Sequence, residues 1–279
     1  MKKTTPFKEP SDFEKELIDF SNIHRMTLAE HSKRINDYFE MSCYNLIVRY
    51  YEKLGYDLSV QNLKGGKFKY KCSPKGLLEN FSYFKAEKTD DSGQPDEFFI
   101  FHNATVQSPF DDLVFTTPDI VVSKTKDPST ATDYYATKLK LSFVSKNNLI
   151  TFCEVKHYTP FPELMLNFMG TVHELMPDCT DDSIAHPASN HIAPSLLMSG
   201  TFGKSTNRIK ESLEGRYYVN FIDNLFEDAS IRDFLTNTQL SKLASLGKKR
   251  ENPPAKPKSS SVPDFVLSAL EIINQTNKE

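Results

Sequence analysis

Residues 141–158 read LSFVSKNNLITFCEVKHY, and this stretch does most to decide the fold. Two apolar runs flank a polar turn at 146–148, which predicts two β-strands. In the second strand Glu154 and Lys156 are two residues apart, so both side chains point to the same face of a sheet. Because a charge buried in so apolar a strand needs a partner, the pair favours a cluster of charges over an exposed surface pair.

A second acid lies in the apolar segment that precedes this stretch. Residues 113–124 read LVFTTPDIVVSK and predict a strand that Pro118 interrupts, with Asp119 at its entrance. If the two strands are neighbours, Asp119 joins Glu154 and Lys156 in one cluster. Two converging carboxylates are suited to a hard divalent cation, and Mg2+ is favoured because it needs few protein ligands. The lysine could then orient an attacking water and offset the charge that develops on a phosphate.

The elements before these strands begin with a long helix. An apolar repeat at helical spacing predicts this helix from about residue 27 to 54, and Gly55 follows it as the C-cap. A β-rich stretch comes next, in which YDLSV and KFKYKC on either side of LKGG predict a hairpin. A further strand is predicted at 97–106.

The hydrophobic periodicity changes after the strand that carries Glu154. The elements predicted from there are a helix at 162–176, a strand at 192–202, a helix at 205–216 and a strand at 217–223. The predicted order of elements is a helix, several strands, a helix, a strand, a helix and a strand. This order predicts an α/β fold. Its mixed central sheet would be flanked by helices.

The motif and this order of elements resemble the PD-(D/E)xK phosphodiesterase superfamily, which has the restriction-endonuclease-like fold. The pattern here is PD at 118–119, then 34 residues, then EVK at 154–156. The core of that family runs helix, three strands, helix, strand, which is the order predicted from about residue 28 to 223. The first helix is similar to that of the Mrr-type branch, in which a glutamate of this helix often completes the metal site. By that resemblance Glu40 is a third candidate acid.

The resemblance implies an endonuclease that needs Mg2+ or Mn2+ and hydrolyses phosphodiester bonds. DNA is the expected substrate, RNA is left open, and a role in bacterial defence against foreign DNA is implied. The catalytic residues would be Asp119, Glu154 and Lys156, and the metal ligands would be Asp119, Glu154 and Glu40. Because cutting both strands usually needs two such sites, a homodimer or a larger complex is expected.

The chain departs from the family pattern in two places. The long gap between the two motifs implies an inserted loop or hairpin at about 124–145. The helix after the second motif lacks the glutamine of some members and offers Glu163, Asn167 and His173 instead.

Two alternatives to an enzyme stay open. One is a non-catalytic subunit that keeps the fold in order to bind nucleic acid or protein, and the other is a plain α/β domain with an exposed Glu154–Lys156 pair.

Weaker patterns point to other chemistry. GKST at 203–206 ends like a Walker motif, but Met198 stands where that motif needs its first glycine. The start of the following helix could instead contact a phosphate. The candidate zinc ligands are Cys179, His186 and His191, with His173 nearby. Their spacing is not that of a zinc finger, so a surface loop is the preferred interpretation.

Composition limits the classes of function. The 279 residues carry 34 Lys+Arg and 37 Asp+Glu, a formal net charge of -3, which excludes nucleic-acid binding through an overall basic surface. The N-terminal segment has no apolar core like that of a secretory signal, and no apolar run is long enough for a membrane span. The four cysteines lie far apart without a CxxC pair, so we expect reduced thiols in a cytoplasmic protein.

The predicted organisation has four parts. They are an N-terminal extension at 1–26, a nuclease-like domain at 27–240, a basic Pro/Ser-rich linker at 241–262 and an amphipathic helix at 263–279. The last helix would dock either on its own domain or on a protein partner.

Overall fold

A computed structural model describes residues 10–24, 27–28, 35–89, 93–131, 140–181, 183–184 and 191–226. The predicted linker at 241–262 and the predicted helix at 263–279 lie outside these residues. The helices are α1 (Pro10–Ile23), α2 (Ile35–Lys53), α3 (Pro162–Leu175) and α4 (Lys204–Arg216). None of the helices within the described ranges has the length and apolar character that crossing a membrane requires.

Thirteen strands are formed by the described residues. They are β1 (Thr27–Leu28), β2 (Asp57–Gln61), β3 (Lys67–Phe68), β4 (Tyr83–Thr89), β5 (Pro95–His102), β6 (Thr105–Gln107), β7 (Phe115–Thr116), β8 (Ile120–Ser123), β9 (Ser129–Ala131), β10 (Leu141–Val144), β11 (Leu149–Lys156), β12 (Ser195–Met198) and β13 (Asn220–Ile222). Short 3₁₀ helices lie at Leu78–Asn80, Lys146–Asn148 and Pro177–Thr180.

A seven-stranded sheet forms the centre of the chain, in the order β13-β12-β11-β8-β5-β4-β2. Within this sheet, neighbouring strands pair antiparallel along the series β2, β4, β5, β8 and β11. The remaining strands β12 and β13 run parallel to β11. Parallel pairing of β11 and β12 requires a crossover, and α3 lies in the connection between them. The fold is therefore α/β, with a mixed and largely antiparallel central sheet flanked by helices.

Two apolar layers cover the two faces of this sheet. Successive side chains of β5 alternate between them, since Phe98 and Ile100 pack in the layer of α2 while Phe99 and Phe101 pack in the layer of α3 and α4. The helix α1 also belongs to the first layer, because Leu17 is fully buried there. The segment predicted as an N-terminal extension thus contains a helix that packs on the domain.

A second, four-stranded sheet has the order β7-β6-β10-β9. Its strands β9 and β10 pair antiparallel, so the predicted insertion at 124–145 contributes an edge of this sheet. The stretch at 97–106 divides at Asn103, which has a φ of +51°, so β5 and β6 belong to different sheets. The stretch at 113–124 divides at Pro118 as predicted, because proline has no N–H for a ladder.

Two local predictions were wrong. The first long helix begins at Ile35, and Thr27–Leu28 instead forms a strand that pairs with β3. The turn predicted around LKGG is present, and Gly65 and Gly66 both have positive φ, but its two strands do not pair with each other. β2 pairs with β4 along all five of its residues, while Phe68 of β3 is buried in the layer below α2.

Candidate active site

The registration of β8 against β11 brings the two sequence motifs together. Ile120 is paired with Cys153, so Asp119, one residue earlier in the antiparallel strand, stands beside Glu154. The neighbours of Asp119 in β8 and of Glu154 in β11 are apolar and fully buried. These buried apolar side chains hold the two strands in place, and the register between the strands then sets the positions of the two acids.

Asp119 is the centre of the cluster. Its Oδ2 atom accepts a hydrogen bond of 2.6 Å from the backbone N–H of Val155 and one of 2.9 Å from Nζ of Lys156. The side chain of Asp119 is 10% exposed. Because one oxygen is held from the backbone and from a charged donor together, the carboxylate has a fixed orientation.

Lys156 bridges the two acids of the strand motifs. Its Nζ atom lies 2.8 Å from Oε2 of Glu154 and 2.9 Å from Oδ2 of Asp119. The side chain of Glu154 is 15% exposed and that of Lys156 30%, so the pair is not the exposed surface pair of the plain-domain alternative. As predicted, Glu154 and Lys156 share a face, while Cys153 and Val155 pack in the opposite layer.

Glu40 approaches the cluster from α2. Its Oε2 atom lies 3.4 Å from Nδ2 of Asn103 and 4.0 Å from Nε2 of His102. Burial, and after it the negative charge of Asp119, raise the pKa of Glu40 to about 7. The structure therefore brings Asp119, Glu154 and Lys156 into direct contact and places Glu40 on the same cavity as Asp119.

The charges of this cluster perturb one another. Burial and the charge of Asp119 raise the pKa of Glu154 above its usual value, although Lys156 opposes them. Burial lowers the pKa of Lys156, but the charges of Asp119 and Glu154 outweigh it and hold that pKa above its usual value. Three carboxylates with one ammonium leave an excess of negative charge, which a bound cation would neutralise.

A cavity of about 350 Å³ opens onto Asp37, Glu40 and Asp119, whereas Glu154 and Lys156 are not among the residues that line it. The residues that line it are Asn36, Asp37, Glu40, Cys72, Ser73, Pro74, Asn103, Thr117 and Asp119. Three carboxylates thus face one space large enough for a hydrated ion and part of a ligand. Asp37, which is 5% exposed, lies one turn before Glu40 on α2 and was not predicted as a site residue.

The donor chemistry fits a divalent cation of the Mg2+ type. Carboxylate oxygens are the ligands that this ion prefers, and one or two of them suffice because it keeps several waters. Among the described residues, no three His, Cys, Asp or Glu side chains form a group already arranged to hold an ion. Lys156 contacts Oδ2 of Asp119 and Oε2 of Glu154, so a cation can bind the other oxygen of each acid without displacing the lysine.

Sequence reasoning missed the residues that support Glu40. Neither Asn103 nor Lys71 was among the predicted site residues. Lys71 is 1% exposed, and its Nζ atom donates to the carbonyl oxygens of Ser73, Pro74 and Asn103. A signal for Asn103 did exist, because asparagine after a β-strand is prone to the left-handed conformation that ends the strand.

The weaker motifs have ordinary structural roles. Gly203 is the N-cap of α4, and Asn207 bonds to Glu211 one turn later. His157 points to the opposite face from Lys156, and its ring packs on Phe39. Glu163, Asn167 and His173 lie along α3.

The described members of the imagined zinc site do not come together. Cys179 is buried in the layer of α3, whereas His191 packs against Tyr51 and Phe98 in the layer of α2. His173 instead contacts Thr180, and His186 lies outside the described residues. All four cysteines are in the described part of the chain, and none of them is in a disulfide.

Comparisons with known proteins add no relative. No family model, no curated protein and no solved structure matches this chain.

Proposed function

We propose that this chain is a divalent-cation-dependent endonuclease with a restriction-endonuclease-like core, and that DNA is its substrate. The observation that carries the proposal is the convergence of Asp119, Glu154 and Lys156 at the meeting point of β8 and β11, with Glu40 lining the same cavity as Asp119. The topology supports it, because α2, the antiparallel strands β5, β8 and β11, the crossover helix α3 and the parallel strand β12 follow the expected order.

The residues would divide the work according to their contacts. Asp119 and Glu154, assisted by Glu40, would hold Mg2+ or Mn2+, which supplies Lewis acidity toward a phosphate oxygen and a more acidic bound water. Lysine has three N–H donors, and Asp119 and Glu154 take two of those on Lys156. The third donor is available for the attacking water or for a phosphate oxygen, where the positive charge favours the transition state.

Cleavage of a supercoiled plasmid tests the proposal. We expect degradation with Mg2+ or Mn2+ and none in EDTA, and we expect Asp119→Asn, Glu154→Gln and Lys156→Met each to abolish it. Lys146→Met is the matched control, because Lys146 pairs with Asp112 at 2.9 Å but lies outside the cluster. Cleavage by all three variants at the wild-type rate would refute the site.

The same assay separates the proposal from its rival. A chain that binds DNA or a protein partner but cleaves neither DNA nor RNA with any divalent cation would be a non-catalytic binding subunit. Faster cleavage of an RNA strand than of the DNA strand of the same sequence would change the substrate while leaving the site in place.

A further inference from the structure

The contacts of Asn103 explain how Glu40 is held at the edge of the cavity. Its φ of +51° is left-handed, which turns the backbone away from the line of β5. In this conformation its side-chain Nδ2 lies 3.4 Å from Oε2 of Glu40. The amide can therefore donate to the carboxylate and limit the orientations it adopts beside the cavity that Glu40 lines.

The backbone of Asn103 is fixed on both sides. Its N–H donates to the carbonyl oxygen of Asp119 at 2.8 Å, and its own carbonyl oxygen accepts from Nζ of Lys71 at 2.6 Å. The first bond links Asn103 to the residue at the centre of the acid cluster. The second links it to a lysine that is almost completely buried.

Lys71 is an unusual anchor because its charge is buried against neutral groups. Its three N–H donors go to the carbonyl oxygens of Asn103, Ser73 and Pro74, and the last two residues line the same cavity as Glu40. Burying an ammonium is costly, and the three hydrogen bonds to carbonyl oxygens offset that cost when all three acceptors are in place. Lys71 thus joins one wall of the cavity to the turn that carries Asn103.

We propose that Asn103 is a positioning residue for Glu40 and that Lys71 locks it in place, so that these two residues set the affinity of the cavity for a divalent cation. The inference rests on the proposed function, since it concerns the cation site of that reaction. A neutral donor behind a ligating carboxylate orients it, and loss of such a partner typically weakens metal binding by about 10- to 100-fold.

Asn103→Gly tests the side chain without disturbing the backbone, because glycine adopts a positive φ at no steric cost. The probe is Mn2+ alone, titrated into the metal-free protein, and thermal unfolding is measured in parallel. We expect Asn103→Gly to weaken Mn2+ binding about 10-fold. The matched control is Asn62→Gly, because Asn62 also has a positive φ of 55° but bonds to the carbonyl oxygens of Glu79 and Phe81. This control should leave the affinity unchanged.

A second variant and a mutant cycle show whether the effect passes through Glu40. Lys71→Met keeps the buried length of the side chain but removes its three donors, and we expect it to weaken Mn2+ binding as well. In a Glu40→Gln background, Asn103→Gly should cause no additional loss of affinity, whereas a general structural effect would add to it. Steady-state cleavage should show the same pattern in the Mn2+ concentration needed for half-maximal rate, with little change in the rate at saturation.

The outcomes distinguish this inference from the proposed function. A wild-type chain that binds no Mn2+ overturns both. If the wild type binds Mn2+ but Asn103→Gly binds it equally well, or if its effect adds fully to that of Glu40→Gln, only the positioning role is wrong. If Lys71→Met does not fold, Asn103→Gly still decides the matter.

Discussion

The buried acids should make the stability of this protein fall as the pH rises. Burial and the charge of Asp119 raise the pKa of Glu40 from 4.5 to about 7 in the folded chain. The folded state therefore binds more protons than the unfolded state between these two pH values, so the free energy of unfolding decreases with pH in that window. The contribution of Glu40 is fully present below about pH 4.5 and is lost as the pH passes about 7.

The size of the effect follows from the two pKa values of Glu40. At 1.36 kcal/mol for each tenfold change in proton affinity, the difference between 4.5 and about 7 corresponds to a loss of about 3 kcal/mol. Glu40→Gln removes this titration, so the variant should match the wild type only below about pH 4.5 and exceed its stability by about 3 kcal/mol at pH 8. The glutamine cannot ionise, and it keeps the shape of the protonated glutamate.

Urea denaturation followed by far-UV circular dichroism in EDTA, at several pH values between 5 and 8, measures this difference. Glu79→Gln is the control, because Glu79 is exposed and lies outside the cluster. Its stability should follow the wild type at every pH. A constant difference between Glu40→Gln and the wild type from pH 5 to 8 would refute the assignment of the effect to Glu40. Under the proposed function, Mg2+ at pH 8 should stabilise the wild type more than Glu40→Gln.

Four further predictions concern particular residues. A Cβ atom on Gly200 would come within 2.6 Å of the backbone just after β11, so Gly200→Ala should lower the melting temperature and impair cleavage, as differential scanning calorimetry and the plasmid assay would show. Gly170→Ala on α3 meets no atom within 4 Å and should instead stabilise the protein by up to about 1 kcal/mol, and equal melting temperatures for the two variants would contradict the packing argument. Cys72 is half-buried at the cavity while the other three thiols are buried, so maleimide should label it first in the native protein and slow cleavage, as mass spectrometry alongside the assay would show. Tyr44→Phe removes a buried 2.8 Å bond to the carbonyl oxygen of Ile100 and should cost about 1 kcal/mol in urea denaturation, and unchanged stability would show that this bond contributes nothing net.

Local pattern predicted the elements that carry the motif and the helix after it. The observed α3 spans Pro162–Leu175 and β11 spans Leu149–Lys156, close to the predicted bounds. These segments were predictable because each has a clear periodicity and a clear stop, such as the proline at the start of α3. The start of α2 was not predictable in this way, because Thr27–Leu28 forms a strand whose partner lies some forty residues away in the chain.

Pairing between strands was the least predictable feature. The glycine turn after β2 suggested a local hairpin, but Phe68 and Tyr70 pack with Tyr44 and Phe84 beneath α2. Burial of these aromatic rings outweighs the few hydrogen bonds that a hairpin would add. The pairing of strands depends on which apolar surfaces the rest of the fold must bury, and that is a property of the whole chain.

The sequence by itself determined the chemistry of the candidate site. Asp119, Glu154 and Lys156 are placed by the alternation of side chains along two apolar strands, and this alternation can be read without coordinates. Only the tertiary structure decided that Glu40 lines the same cavity as Asp119, that Asn103 lies within hydrogen-bond distance of Glu40 and that Lys71 is buried behind Asn103. These contacts join residues 32 to 63 positions apart, and they form because burial forces each polar group to find a partner wherever the fold brings one.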